Sequence, residues 1–161
     1  MKNMKKLTVL DSIENSPGVE TLEGKIGPLI SGNKGSAHYI VMYPDQYCEP
    51  HTHPTESIIY TAKGEWVLNS GEKRYHMKEG SLFFMPPNIE TGYEVPFTNP
   101  VTLLIIKFEG ESDPEEFMKY LEGLKGRLSE NEQKGEIFKI SSLPMNHPAR
   151  LFSEKIKLIE N

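Results

Sequence analysis

The sequence is poor in cysteine and in long apolar runs. Cys48 is its single cysteine, so no disulfide can form within the chain, which fits a reducing compartment. The longest apolar run extends from Val101 to Ile106 and is interrupted by Thr102. A membrane-spanning helix needs about 20 apolar residues, so the sequence predicts no membrane span and no membrane partner.

Concentrated positive charge is also missing. The net charge is −5, and the charged residues are dispersed along the chain. Nucleic-acid backbones are bound through clustered lysine and arginine, so no nucleic-acid partner is predicted. The basic residues Lys2, Lys5 and Lys6 are followed by Asp11 and Glu14 before the apolar core of a signal peptide can form. This pattern favours a cytoplasmic location.

Several catalytic signatures are absent from the sequence. It contains no Gly-x-Ser-x-Gly elbow and no paired-cysteine zinc motif. The segment from Gly24 to Gly35 is rich in glycine but lacks the lysine and serine or threonine that end a phosphate-binding loop. It is interpreted as turns between short strands. With 161 residues, the chain has the length of one domain with its own core.

Short β-rich segments do occur, and they alternate with turn residues through the middle of the chain. Turns such as Lys63-Gly64 and Ser70-Gly71 join them, and no helix separates them. The pattern predicts an all-β antiparallel sandwich or barrel. The predicted strands are 37–43, 57–61, 65–69, 73–77, 81–85, 93–95 and 101–108.

A helix is predicted after these strands. Asp113 can cap its first turn, and Pro114 suits the first helical position. Apolar residues recur at helical spacing from Phe117 to Leu124, which provides one face to pack on the barrel. Gly126 is the predicted end of this helix.

The remaining C-terminal chain is less regular. Segment 137–143 is predicted as a further strand, and the tail 150–161 as either a helix or an edge strand. The tail is apolar enough to pack on the barrel or on a second copy. The predicted divisions are an N-terminal arm with the first strands at 1–36, a barrel core at 37–110, and a C-terminal helix and tail at 111–161.

The most informative pattern is the pair His51 and His53. Two residues at i and i+2 of an extended strand lie on the same face, so both imidazoles can reach one site. Ser57 is an even number of positions from both histidines, so it is predicted on the same face of the strand. Glu56 is predicted on the opposite face, pointing away from the site, unless Pro54 introduces a bulge.

Together with Gly64, Gly80 and Pro86, this pair resembles the two sequence motifs of the cupin superfamily. The family has a glutamate where this chain has Ser57, and the nearest glutamate in this chain, Glu56, is one residue before that position. In the second motif Asn88 replaces a glycine, Thr91 replaces a histidine, and Glu90 precedes it. The resemblance covers somewhat under half of the chain, and it implies a β-barrel or jelly roll, here with a C-terminal helical appendage.

The resemblance also implies a pocket inside the barrel and a homodimer. The predicted pocket residues are Ser57, Thr91 and Tyr93. The predicted metal ligands are His51 and His53, completed by Glu56 or Glu90 if either turns inward. Such a set would hold a divalent metal, namely Fe, Mn, Ni or Zn.

Two functions stay open at this point. One is a module that binds a small polar or anionic molecule with a reduced metal site. The other is a metal-dependent oxygenase, isomerase or lyase that acts on a small carbonyl or carboxylate compound. A third, the sensing half of a DNA-binding regulator, is disfavoured because the segment after Ser112 is too short for a helix-turn-helix pair. Cys48 is interpreted as a small strand residue in preference to a reactive thiol.

Overall fold

The computed structural model describes residues 6–108 and 113–160. In this part of the chain, ten strands form two antiparallel sheets. The larger has the order β1-β2-β3-β10-β5-β8, and the smaller has the order β4-β9-β6-β7. The strands are β1 Val19–Thr21, β2 Gly24–Ser31, β3 Ser36–Met42, β4 Tyr47–His51, β5 Ser57–Lys63, β6 Trp66–Ser70, β7 Lys73–Met77, β8 Leu82–Met85, β9 Thr91–Glu94 and β10 Val101–Lys107.

The hydrophobic core lies between the two sheets. Alternate residues of β10, namely Val101, Leu103 and Ile105, are buried, as expected for a strand with one face toward the interior. Trp66 is fully buried, stacks on Tyr93 with ring centroids 5.3 Å apart and donates its indole N–H to Thr61. The predicted all-β barrel of the jelly-roll type is confirmed.

The predicted helical appendage is confirmed, but its first helix is longer than expected. Helix α1 spans Pro114–Gln133, and the Asp113 carboxylate caps it by accepting from the Glu115 N–H at 3.0 Å. The prediction that it ends at Gly126 is wrong. The apolar face continues, because Leu121 and Leu128 are seven residues apart and both are buried.

The C-terminal chain covers the smaller sheet. The predicted strand at 137–143 is instead a 3-10 helix, Ile140–Ser142, joined to the barrel by one β-bridge between Gln46 and Lys139. Ile140 and Leu143 pack against Tyr47. The tail is helix α2, Pro148–Glu160, whose buried residues Ala149, Ser153 and Ile156 recur at helical spacing. Within the described residues, no helix is long and apolar enough to cross a membrane.

Gly64 provides a test of the turn between β5 and β6. Its φ is +88°, and a Cβ there would lie 2.6 Å from the carbonyl oxygen of Pro100. We expect Gly64→Ala to lower the free energy of unfolding by about 2 kcal/mol, measured by urea denaturation. Gly126→Ala is the matched control, because this exposed helical glycine has open space around it and alanine should raise stability by up to about 1 kcal/mol. Equal effects of the two substitutions would contradict the prediction.

Candidate functional site

A cavity of about 130 Å³ lies inside the barrel, between the two sheets and helix α1. Its walls are largely apolar, and its polar side chains come from several strands of both sheets, from the turns beside them and from α1. The lining residues are Glu23, Ile26, His38, Ile40, Met42, Gln46, Cys48, His51, His53, Ser57, Ile59, Met85, Tyr93, Ile105, Lys107, Phe117, Tyr120, Leu121 and Leu124.

The predicted histidine pair lies on this cavity. His51 ends β4, and His53 follows it in the loop before β5, with ring centroids 4.7 Å apart in an edge-to-face arrangement. Nδ1 of His51 lies 3.0 Å from the carbonyl oxygen of Glu49. A carbonyl only accepts, so Nδ1 carries the proton and Nε2 keeps a lone pair.

Cys48 reaches the same wall because β4 contains an extra residue. Cys48 is opposite Tyr93 and His51 is opposite Thr91, so three steps along β4 match two along β9. Such a bulge changes the alternation of faces, and it brings side chains at i and i+3 together. Sγ of Cys48 lies 3.7 Å from Nδ1 of His51. Pro50, which has no N–H to donate to a ladder, sits within this bulge.

Glu23 comes from the turn between β1 and β2. The hydroxyl of Thr21 holds this turn, donating to the carbonyl of Gly24 at 2.8 Å and accepting from the N–H of Glu23 at 3.0 Å. One donor atom each of Glu23, Cys48 and His51 lies within 4.8 Å of the others. Burial raises the pKa of the Cys48 thiol, and the charge of Glu23 and a hydrogen bond to it raise it further.

Two polar atoms on the cavity residues are buried without a hydrogen-bond partner in the described part of the chain. They are Nε2 of Gln46 and Oγ of Ser57. Gln46 is 7% exposed and Ser57 is fully buried. Buried polar atoms are nearly always satisfied, and leaving one unsatisfied costs about 1–3 kcal/mol. Both atoms are therefore available to a bound molecule.

The structure brings together part of the predicted site. Ser57 and Tyr93 line the cavity, and burial raises the pKa of Tyr93 to about 12. Thr91 is buried but is not a lining residue, since its hydroxyl contacts the sulfur of Met85 at 3.5 Å.

The two predicted carboxylates lie elsewhere. Glu56 and Glu90 are exposed, and neither lines the cavity. Of the four predicted metal ligands, the cavity wall therefore contains His51 and His53. The described residues do not fit the full ligand set that the family motifs imply, and metal binding by the histidine pair stays a prediction.

Sequence reasoning missed Glu23 and Gln46 and underrated Cys48. Pro50 inside a strand was the available signal for a bulge, and it would have placed Cys48 beside His51. No sequence signal was available for Glu23, because its position depends on how the hairpin packs against β4.

Burial lowers the pKa of two histidines on the cavity wall. Burial, and then the positive charge of Lys107, lowers the pKa of His38 to about 4. The His38 ring stacks on Phe117 of α1 with centroids 4.0 Å apart. Burial, followed by His51 and Lys107, likewise lowers the pKa of His53 to about 4. Both imidazoles are thus neutral hydrogen-bonding groups at neutral pH.

A wider groove of about 830 Å³ lies on the outside of the barrel. Its walls carry both signs of charge, including an exposed ion pair of Lys63 with Glu14 at 3.7 Å. The groove is open to solvent, and the unpartnered buried atoms of Gln46 and Ser57 are not on its walls. The barrel cavity is therefore the better candidate site.

Residues 33–147 match the family model described as the AraC-like ligand binding domain. The chain belongs to this family. The match includes both cupin-like motifs, so the resemblance to the cupin superfamily is confirmed and the fold is that of a ligand-binding domain. Among curated proteins, none matches this AraC-like domain.

Solved cupin structures are similar to this AraC-like domain in fold. An RmlC-like cupin from Shewanella frigidimarina NCIMB 400 has a TM-score of 0.56 and 20% identity, covering 68% of this chain and 98% of that one. A cupin 2 conserved barrel domain protein from Salinispora arenicola CNS-205 has a TM-score of 0.54 and 16% identity, covering 66% of this chain and 91% of that one. The polyketide cyclase RemF from Streptomyces resistomycificus has a TM-score of 0.56 and 15% identity, covering 63% of this chain and 79% of that one. At these identities the similarity establishes the fold alone.

The pKa of His38 predicts how stability depends on pH. Because its pKa of about 4 in the folded state is below 6.5, protonation favours the unfolded chain. The stabilisation from neutral His38 is complete above about pH 6.5 and is lost as the pH falls toward about 4. Between about pH 6.5 and 4, we expect the free energy of unfolding, measured by urea denaturation, to fall less in His38→Gln than in the wild type. Equal losses would show that His38 does not titrate as predicted.

Proposed function

We propose that the barrel cavity binds one small molecule that carries a carboxylate or carbonyl group. The observation that supports this most directly is the pair of unpartnered buried groups, the amide N–H₂ of Gln46 and the hydroxyl of Ser57. Both can donate a hydrogen bond, so the complementary ligand group is an acceptor. The lining residues include one positive side chain, Lys107, and one negative side chain, Glu23, so the acceptor can be a neutral carbonyl or a carboxylate.

The size and walls of the cavity restrict the rest of the ligand. A cavity of about 130 Å³ is close to the roughly 150 Å³ that accommodates benzene in an engineered protein core, so a compact ligand is favoured. The apolar side chains of Ile40, Ile59 and Ile105 line the cavity. A short carboxylate or keto acid with a small apolar body combines these properties.

Ser57→Ala separates ligand binding from folding. It removes an unpartnered hydroxyl, so the ligand-free protein should be as stable as the wild type or up to about 1–3 kcal/mol more stable. It also removes a hydrogen bond to a charged ligand group, so affinity for a carboxylate should fall about tenfold or more.

The measurement is calorimetric titration with short carboxylates and with their amides and alcohols. Ser153→Ala is the matched control, because Ser153 is equally a buried serine but its hydroxyl donates to the carbonyl of Arg150, outside the cavity. It should leave carboxylate binding unchanged. The proposal fails if no carboxylate binds to the wild type, or if Ser57→Ala binds as tightly as the wild type.

We also propose that the chain forms a homodimer through the outer face of β5 and β8. Strand β8 is an edge of the larger sheet, and Tyr60 lies opposite Leu82 in the register of β5 with β8. Leu82 is 63% exposed and Phe84 is 54% exposed. A two-fold contact would place this patch against its own copy and bury it. A cytoplasmic location stays a prediction.

Phe84→Glu tests the proposed dimer. The residue is exposed, so the fold should be retained while a charge at a buried interface drives the protein to the monomer. Light scattering after size exclusion measures the mass at tens of micromolar, an order of magnitude suited to a specific interface. Leu158→Glu on α2 is the control for the exposed tail and should remain dimeric. A monomeric wild type, or a monomer produced only by Leu158→Glu, would refute this interface.

A further inference from the structure

Three potential metal ligands meet at one corner of the barrel cavity. We infer that Glu23, Cys48 and His51 form a binding site for a divalent cation of the zinc class, with an open coordination position facing the cavity. Their donor atoms lie within 4.8 Å of one another. The site goes beyond the proposed carboxylate binding and does not depend on it.

The geometry requires only small side-chain movements. Zinc binds sulfur at about 2.3 Å and imidazole nitrogen at about 2.0 Å, so tetrahedral coordination places these two donors about 3.5 Å apart. Sγ of Cys48 is already 3.7 Å from Nδ1 of His51. Because this distance is measured to Nδ1, the ion binds Nδ1 once its hydrogen bond to the Glu49 carbonyl opens and its proton moves to Nε2, which gives the other neutral tautomer of imidazole. Glu23 is placed by the hairpin turn that Thr21 holds.

The charges balance when the ion binds. The Cys48 sulfur lies within 4.8 Å of a Glu23 carboxylate oxygen. Binding breaks the S–H bond, releases the proton to solvent and forms a metal–sulfur bond, with no change in oxidation state. The thiolate and the carboxylate then carry two negative charges against the two positive charges of the ion. A partly buried group of zero net charge avoids most of the desolvation cost of an isolated ion.

The unpartnered groups on the cavity provide an independent indication that something binds there. Gln46 and Ser57 line the cavity that also contains the three donors, and each has a buried polar atom without a partner among the described residues. Three protein ligands with a fourth position open is the arrangement of zinc sites that bind an exogenous ligand. A water molecule or an anion on the ion would then be within the cavity that these two groups line.

This ligand set differs from the one that the cupin motifs imply. Only His51 is common to both, because Glu23 comes from the β1–β2 hairpin and Cys48 comes from the bulge that precedes the histidine pair. Cysteine also changes the preference among metals, since thiolate favours zinc and cobalt over magnesium or calcium.

The test is titration of the chelator-treated, reduced full-length chain with Co²⁺ alone, followed by competition with Zn²⁺. We expect one Co²⁺ per chain, a thiolate-to-cobalt charge-transfer band in the near ultraviolet, and loss of the band when Zn²⁺ displaces Co²⁺. Elemental analysis after dialysis against Zn²⁺ should give one zinc per chain.

Variants assign the ligands. Cys48→Ser should abolish the charge-transfer band. Glu23→Gln should keep the band but weaken binding by at least about 10–100-fold, which is the loss caused by removing a group that only supports a metal ligand. Glu56→Gln is the matched control, because this exposed carboxylate lies outside the cavity and should bind as the wild type does. Circular dichroism and thermal unfolding establish that each variant is folded.

Two results would overturn the inference. One is the absence of a thiolate band and of zinc binding in the folded wild type. The other is binding that survives Cys48→Ser and Glu23→Gln but is lost in His53→Gln, which would place the ion on the histidine pair. Titration of the metal-free protein with carboxylates is a separate measurement, so failure of the cation site leaves the proposed ligand binding standing.

Discussion

The bulge in β4 is the constraint on which the polar end of the cavity depends. In a regular strand, Cys48 and His51 would point to opposite faces of the sheet. The extra residue between them turns both side chains to the cavity, while the strand stays paired with β9 on either side. Pro50 stabilises this irregularity, because it has no N–H to lose from the ladder. The inserted residue thus determines which side chains of β4 line the cavity.

Helix α1 and the β1–β2 hairpin form part of the cavity wall. Phe117, Leu121 and Leu124 of α1 line it, and Leu121 packs with Val19 and Ile26 of the hairpin. The same packing positions Glu23 near Cys48. Because the apolar face of α1 is buried against the hairpin, enclosure of the cavity and placement of its carboxylate are parts of one packing arrangement.

The polar groups of the cavity are arranged differently from those of the rest of the interior. Elsewhere in residues 6–108 and 113–160, buried polar side-chain atoms have hydrogen-bond partners, as in the Arg74 contact with Glu94 at 3.0 Å. At the cavity, Gln46 and Ser57 leave hydrogen-bonding capacity unused. A fold tolerates such a cost when a ligand recovers it, and this is the physical link between the architecture and the proposed function.

The sequence by itself determined the barrel, the position of its pocket and the helix after it, because strand alternation, glycine turns and helix caps are local properties. It placed His51, His53, Ser57 and Tyr93 on the cavity, since strand parity and motif spacing predict the wall. Only the tertiary structure brought Glu23 to Cys48 and put Glu56 and Glu90 on the surface. Those positions depend on a bulge and on packing between distant segments, which no local pattern specifies.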